Sequence, residues 1–185
     1  MRRATILAML GVFIVSGGIG YYLGRTATIP LLRENRRLMA ENRELATETA
    51  AVFFMRTDGN NFSLQPVLVR IPRDGDRHRR ALAALFAGPP AGSGLERLFP
   101  RDTAVLDLKV ANGLATVDLN QAATRLNVGA EGEALAVASL VNTLTKFPDI
   151  HQVKILVEGS EVESLAGHVD LTQTFGFNDR VLAPE

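Results

Sequence analysis

No cysteine occurs in this 185-residue chain. That absence removes disulfides, thiolate nucleophiles, thiolate metal sites and a lipid-modified cysteine, and it leaves the redox compartment undetermined. An excess of charge is missing too. The 20 Lys and Arg balance the 20 Asp and Glu, for a net charge of 0. Nothing global therefore points to nucleic acid or to a strongly acidic partner. Charge is absent altogether from residues 5–24, and this local gap carries more information than either total.

Reactive constellations are also scarce. The histidines are His78, in the basic run Arg77-His78-Arg79-Arg80, His151 and His168. None has a second ligand at the short helical or loop spacing that a metal site needs. His168 with Asp170 is the nearest approach to a metal or acid–base pair, against a turn histidine bonded to backbone. Ser139 lacks the G-x-S-x-G elbow of a hydrolase nucleophile. Gly92-Ser93-Gly94 lacks the helix and the Lys-Ser/Thr of a phosphate loop, so it reads as a connector. Asp118 and Glu158 end strands, where paired carboxylates could act on sugars, but nothing in the sequence makes them converge and solvated strand ends are the better reading. The basic run reads as a solvated helix face, with contact to a membrane surface or anionic polymer as the sharper option. The sequence thus offers no catalytic, cofactor-binding or metal residue.

What is present begins with a membrane element. Residues 5–24, with Thr5 and Gly24 at the ends, are long enough as a helix to span about 30 Å of hydrocarbon. Arg2 and Arg3 precede the stretch, Tyr21 and Tyr22 lie near its far end, and Arg25 closes it. The apolar core is long for a cleavable signal and no small-x-small site precedes Arg25, so residues 1–25 read as an uncleaved signal anchor. Arg25, Arg33, Arg36 and Arg37 would favour the opposite orientation by simple counting. Long domains translocate largely regardless of charge, however, which places the bulk of the chain outside the cytoplasm.

Residues 26–50 read as a juxtamembrane helix with a seven-residue repeat. Leu31, Leu38 and Leu45 fill one seam position, and Asn35 and Asn42 the other. Asn in a coiled-coil core costs stability but favours in-register pairing. The segment is short for a free helix in water, although tethering to a membrane raises its effective concentration. Self-association through this seam and a solvated helix with chance spacing both remain open.

From Ala51 the periodicity changes, and residues 51–185 read as one domain. Val52 to Met55 and Leu64 to Ile71 predict strands around the turn cluster Asp58-Gly59-Asn60-Asn61. Asp76 can cap a helix that buries Ala81, Leu82 and Leu85 and stops at Gly88-Pro89-Pro90. Two alternating runs flank Asn112-Gly113, the strongest short hairpin signal, because both turn residues need positive φ. Val137, Leu140, Val141 and Leu144 give the next helix one apolar side, and Lys146 lies near its negative end. Pro148 stops it, and Val153 to Val157 is a β-branched strand leading to Glu158-Gly159. The remainder reads as a small terminal appendage. The expected fold is α+β, a mixed sheet with two main helices on one face.

The segments Leu82 to Pro89, Asn112 to Leu119, Val141 to Pro148 (reading VNTLTKFP), Val153 to Gly159 and Gly167-His168 occur in the order seen in the GerMN (sporulation and spore germination, GerM-type) domain. The chain resembles that family from about Val52 to about Asp170. The resemblance implies a fold similar to ring-building motifs of secretion systems and an extracytoplasmic domain tethered to the bacterial cell membrane. It implies no enzymatic activity and no cofactor. The expected role is an interaction or assembly module, as a homo-oligomer or with an envelope-protein partner. The alternative is an envelope enzyme or ligand-binding domain acting on cell-wall material.

Overall fold

The computed structural model describes Arg37, residues 47–73 and residues 76–184. The proposed anchor at residues 5–24 and the seam residues Leu31, Asn35, Leu38, Asn42 and Leu45 lie outside that set, as do Asp74 and Gly75. Among the described residues, no helix is long and apolar enough to cross a membrane. The chain divides into Met1–Ala46 and Thr47–Glu185, and the second unit is described below.

It opens with a long hairpin. Strand β1 (Thr47–Asp58) pairs antiparallel with β2 (Asn61–Pro72), in continuous register from Thr47↔Pro72 to Asp58↔Asn61. Gly59 makes the turn at a φ of 61°, a left-handed conformation that costs glycine little. Both strands outrun the apolar cores that predict them. Residues 47–50, read from sequence as the end of the juxtamembrane helix, are strand, because pairing with residues 69–72 outweighs their weak helical pattern.

Helix α1 (Arg77–Ala87) buries Ala81, Leu82, Leu85 and Phe86. Asp76 stands at the N-cap position but makes no side-chain capping bond; its carboxylate faces Arg79 at 3.4 Å instead. Gly88, at a φ of 93°, ends the helix ahead of the two prolines. A two-residue strand, β3 (Leu95–Glu96), then pairs with the far edge of β1. No sequence pattern announces so short an element.

Strands β4 (Val105–Ala111) and β5 (Leu114–Leu119) form the hairpin that Asn112-Gly113 predicts, with φ of 51° and 82° at those residues. After a single 3₁₀ turn (Gln121–Thr124), helix α2 (Ala130–Thr145) crosses over to β6 (Gln152–Val157), which pairs parallel with β5.

The strands do not form the single mixed sheet expected. They make two three-stranded sheets, ordered β2-β1-β3 and β4-β5-β6, the first antiparallel and the second mixed. Hairpin pairing is dictated locally, whereas joining two hairpins edge to edge is a tertiary choice. The available edges discourage that joining. Strand β4 is irregular at Leu106, where its register with β5 shifts, and β2 carries Pro66 and Pro72. Helix α1 packs on β1, β2 and β4, and α2 on β1, β2 and β6, so the helix pair ties the sheets together.

Helix α2 departs furthest from expectation. Every residue from Leu135 to Leu144 is buried, not one side alone. Ala136, Val137, Leu140, Val141 and Leu144 join the main core with both sheets. Leu135 and Ala138 meet Phe53 and Leu64 in a second, smaller cluster. A helix in that position must also bury Glu133, Ser139, Asn142 and Thr143, and each finds a partner.

The terminal appendage is an integral part of the fold. Val153 and Phe175 exchange two backbone hydrogen bonds, which covers the outer edge of β6. Leu64 donates to Val181 O and accepts from Ala183 N, so the last described residues cover part of β2.

Candidate functional site

The segment Asn142-Thr143-Leu144-Thr145-Lys146-Phe147-Pro148-Asp149 touches three other parts of the fold. Asn142 accepts from Asn178 N and donates to Asn178 O, both at 2.8 Å, which pins the C-terminal segment. Thr143 accepts from Phe53 N of β1 and donates to Ser139 O. Lys146 lies just beyond the helix, with its ammonium 4.3 Å from the Phe177 ring centre. Phe147 packs edge-on against His78 at 4.7 Å, with the Arg77 guanidinium 5.5 Å from its ring centre. Arg77 also donates to Asp149 at 2.8 Å, and His78 lies 3.2 Å from the same carboxylate.

The basic run is thus engaged at the start of α1. Burial pushes the Asp149 carboxyl up. The hydrogen bonds from Arg77, from its own backbone and from His78 together outweigh that, so its pKa is lowered. Arg79 donates to Val105 O at 2.8 Å, joining α1 to β4.

Gly167-His168 has a counterpart that sequence reasoning missed. Glu133, in the first turn of α2, is fully buried. Its Oε1 accepts from Leu165 N and Ala166 N, both at 2.9 Å, and its Oε2 from His168 N at 2.8 Å. Three N–H groups and the positive end of the helix dipole replace the water this carboxylate has lost. A signal was available in the sequence. Glu133 stands four, seven and eleven residues before Val137, Leu140 and Leu144, so a carboxylate lies in line with an apolar stripe.

The candidate catalytic carboxylates are occupied separately. Asp118 accepts from Gly159 N at 2.8 Å, and Glu158 accepts from Gln121 N at 2.8 Å. Both brace the turn after β6, where Glu158 and Gly159 adopt φ of 50° and 76°. Asp170 accepts from the Thr172 hydroxyl and the Thr172 N–H. These bonds, with the charge of Lys154, hold its carboxyl below the usual range against a small opposing effect of burial. His168 and Asp170 line one shallow surface depression, with His168 held through its backbone and Asp170 turned to Thr172. Ser139 is buried and donates to Ala136 O. Among the described residues, no group of three or more His, Asp or Glu side chains is placed to hold a metal.

This arrangement defines a class: a small α+β domain whose most distinctive residues fasten its own segments together. The family described as "Germane: Sporulation and spore germination" matches residues 51–163. The chain belongs to that family.

Solved structures agree with the assignment. The tandem GerMN domains of the sporulation protein GerM from Bacillus subtilis are similar at 26% identity and a TM-score of 0.63, over 75% of this chain and 49% of that one. This chain thus spans about half the length of that tandem protein. A putative lipoprotein from Clostridium perfringens is similar at 25% identity and a TM-score of 0.53, over 71% of this chain and 89% of that one. The first GerMN domain of the Bacillus subtilis protein shares the fold at 21% identity and a TM-score of 0.58, covering 72% of this chain and 98% of that one. No curated protein matches the chain.

Proposed function

We propose that this protein is a non-enzymatic assembly module of the bacterial cell envelope, tethered to the membrane through residues 5–24 with its family domain outside the cytoplasm. Family membership and the likeness to a sporulation protein support a role of the sporulation and germination type. The observation that carries the reading is the use of the signature residues. Asn142, Thr143, Phe147 and the backbone N–H of His168 all find their partners within the fold. Such a domain acts through its surfaces.

Strand β2 supplies one such surface. Leu64 directs its N–H and C=O away from β1 towards residues 181–183, so by alternation Pro66, Leu68, Arg70 and Pro72 face the same outer edge. Two prolines in that row limit open-ended strand addition, as natural edges commonly do. Between them, Leu68 is 74% exposed. A short apolar edge of this kind suits a self or envelope-protein contact, and the seam of Leu31, Asn35, Leu38, Asn42 and Leu45 supplies a second.

Sedimentation of the full chain in detergent over a concentration series tests the proposal. Concentration-dependent oligomers are expected, weakened by Leu68→Glu and by Leu38→Glu with Leu45→Glu. Loss of cell-wall turnover on changing His168 or Asp118, with the fold intact, would favour an enzyme instead.

A further inference from the structure

Helix α1 and the segment leading from β3 to β4 flank an open cleft of about 510 Å³, whose lining includes Arg79 and Val105, joined by the hydrogen bond described above. Arg79, Arg97 and Arg101 line it, with Phe86 and Val105 among the apolar residues and no carboxylate among the lining residues. Two of these guanidinium groups are held in place. Arg97 donates to Phe86 O at 3.0 Å and also to Ala87 O, at the end of α1. Arg79 donates to Val105 O, with Asp76 at 3.4 Å and the half-exposed Asp107 at 3.9 Å as its acidic neighbours. Arg101 is exposed, and the acid beside it, Asp102, is turned to Arg125.

Thr103, also in the lining, supplies an independent observation. The residue is 6% exposed, and its hydroxyl oxygen is buried with no hydrogen-bond partner among the protein atoms. Buried hydroxyls are nearly always paired, so an orphan without a partner among the protein atoms, in the wall of a cationic cleft, is a donor that a ligand reaching it would satisfy. The surrounding backbone is fixed: Thr103 N donates to Pro100 O, and Asn120 bonds to Asp102 O and Ala104 N. The orphan is therefore not free to turn elsewhere by loop movement.

We propose that this cleft binds a phosphomonoester carried on a small apolar body. Arg101 and the N–H groups that Arg79 and Arg97 do not spend on backbone carbonyls and Asp76 give the cleft a net positive wall, which a phosphate, with three terminal oxygens and a higher charge, matches better than a carboxylate. Ala83, Ala87 and Val105, the accessible apolar residues of the lining, suit an apolar body attached to it. The volume lies in the range of small-molecule sites.

Calorimetric titration of the full-length chain with phenyl phosphate tests the assignment, with inorganic phosphate and benzoate as comparisons. Saturable binding of phenyl phosphate is expected, about tenfold tighter than inorganic phosphate, since the ring adds apolar burial. Benzoate binds more weakly than phenyl phosphate. Arg101→Gln lowers phenyl phosphate affinity about tenfold. Thr103→Val lowers it several-fold while leaving the free chain as stable or more so, because the substitution replaces an unpaired buried hydroxyl with a methyl of the same shape. Absence of saturable binding, benzoate binding as tightly as phenyl phosphate, or affinity unchanged in both variants overturns the proposal. A less stable Thr103→Val chain does so as well, since the hydroxyl would then have a structural partner.

Discussion

Replacing Glu133 tests the internal architecture most directly. In Glu133→Ala, the N–H groups of Leu165, Ala166 and His168 lose their acceptors together. Leu165 is buried, Ala166 is half-buried and His168 is exposed, so water can relieve the last two more readily than the first. A stranded buried donor costs about 1–3 kcal/mol, and the wetter pair less; with the cavity left by the side chain, the loss comes to about 3–4 kcal/mol. Glu133→Gln separates charge from shape. Its one carbonyl oxygen can still serve Leu165 and Ala166, but its amide NH₂ then faces the N–H of His168, donor against donor, at about 2 kcal/mol. Glu131→Gln, at an exposed position in the same first turn, stays within about 0.5 kcal/mol. Urea unfolding of the full chain in mild detergent gives the ranking, followed by far-UV circular dichroism because the domain has no Trp and the two Tyr are Tyr21 and Tyr22. Amide exchange at residues 165–168 localises the effect. A Glu133→Ala chain within 1 kcal/mol of the parent, with unchanged exchange there, would refute the reasoning.

Three further outcomes follow from contacts described above. Asn142→Ala removes both bonds to Asn178 and is expected to cost about 1–2 kcal/mol, with faster amide exchange confined to residues 177–183. Asp149 has a folded pKa below its unfolded value of about 3.9, so its stabilising contribution is complete above that value and fades as pH falls through the folded pKa. The unfolding midpoint should therefore drop more steeply below about pH 4 in the parent than in Asp149→Asn. Gly113→Ala meets two obstacles, a φ of 82° and a new Cβ only 2.8 Å from the His151 ring. It should cost at least about 1 kcal/mol, and adding His151→Ala should restore the steric part but not the part due to φ.

The legible parts of the fold are those fixed by neighbouring residues. Asn112-Gly113 needs only its own two φ angles to declare a hairpin, and Gly88-Pro89-Pro90 halts α1 by local sterics. The β-branched stretch 153–157 likewise announces β6. Features fixed at a distance could not be read that way. Residues 47–50 became strand because residues 69–72 lie beside them, and β3 exists only as a partner for Met55 and Arg56. The separation into two sheets depends on which edges stay regular and uncovered, and the covers come from Phe175 and from residues 181–183. The histidines and carboxylates singled out were legible as residues, but their partners lie far along the chain: Gly159 N for Asp118, Gln121 N for Glu158, the Glu133 carboxylate for His168 and the Asp149 carboxylate for His78, none of which spacing reveals. Glu133 was the exception: its alignment with Val137, Leu140 and Leu144 was a readable sign of a buried charge.

The contact between Leu64 and residues 181–183 makes the domain its own lodger. A hydrogen-bonding edge admits a single occupant at each rung, so any visiting strand at Leu64 must evict residues 181–183 and break the two backbone bonds they make. Eviction also loosens the neighbouring hold of Asn178 on Asn142. Occupancy of this rim and anchorage of the chain's final stretch are therefore competing states of one berth.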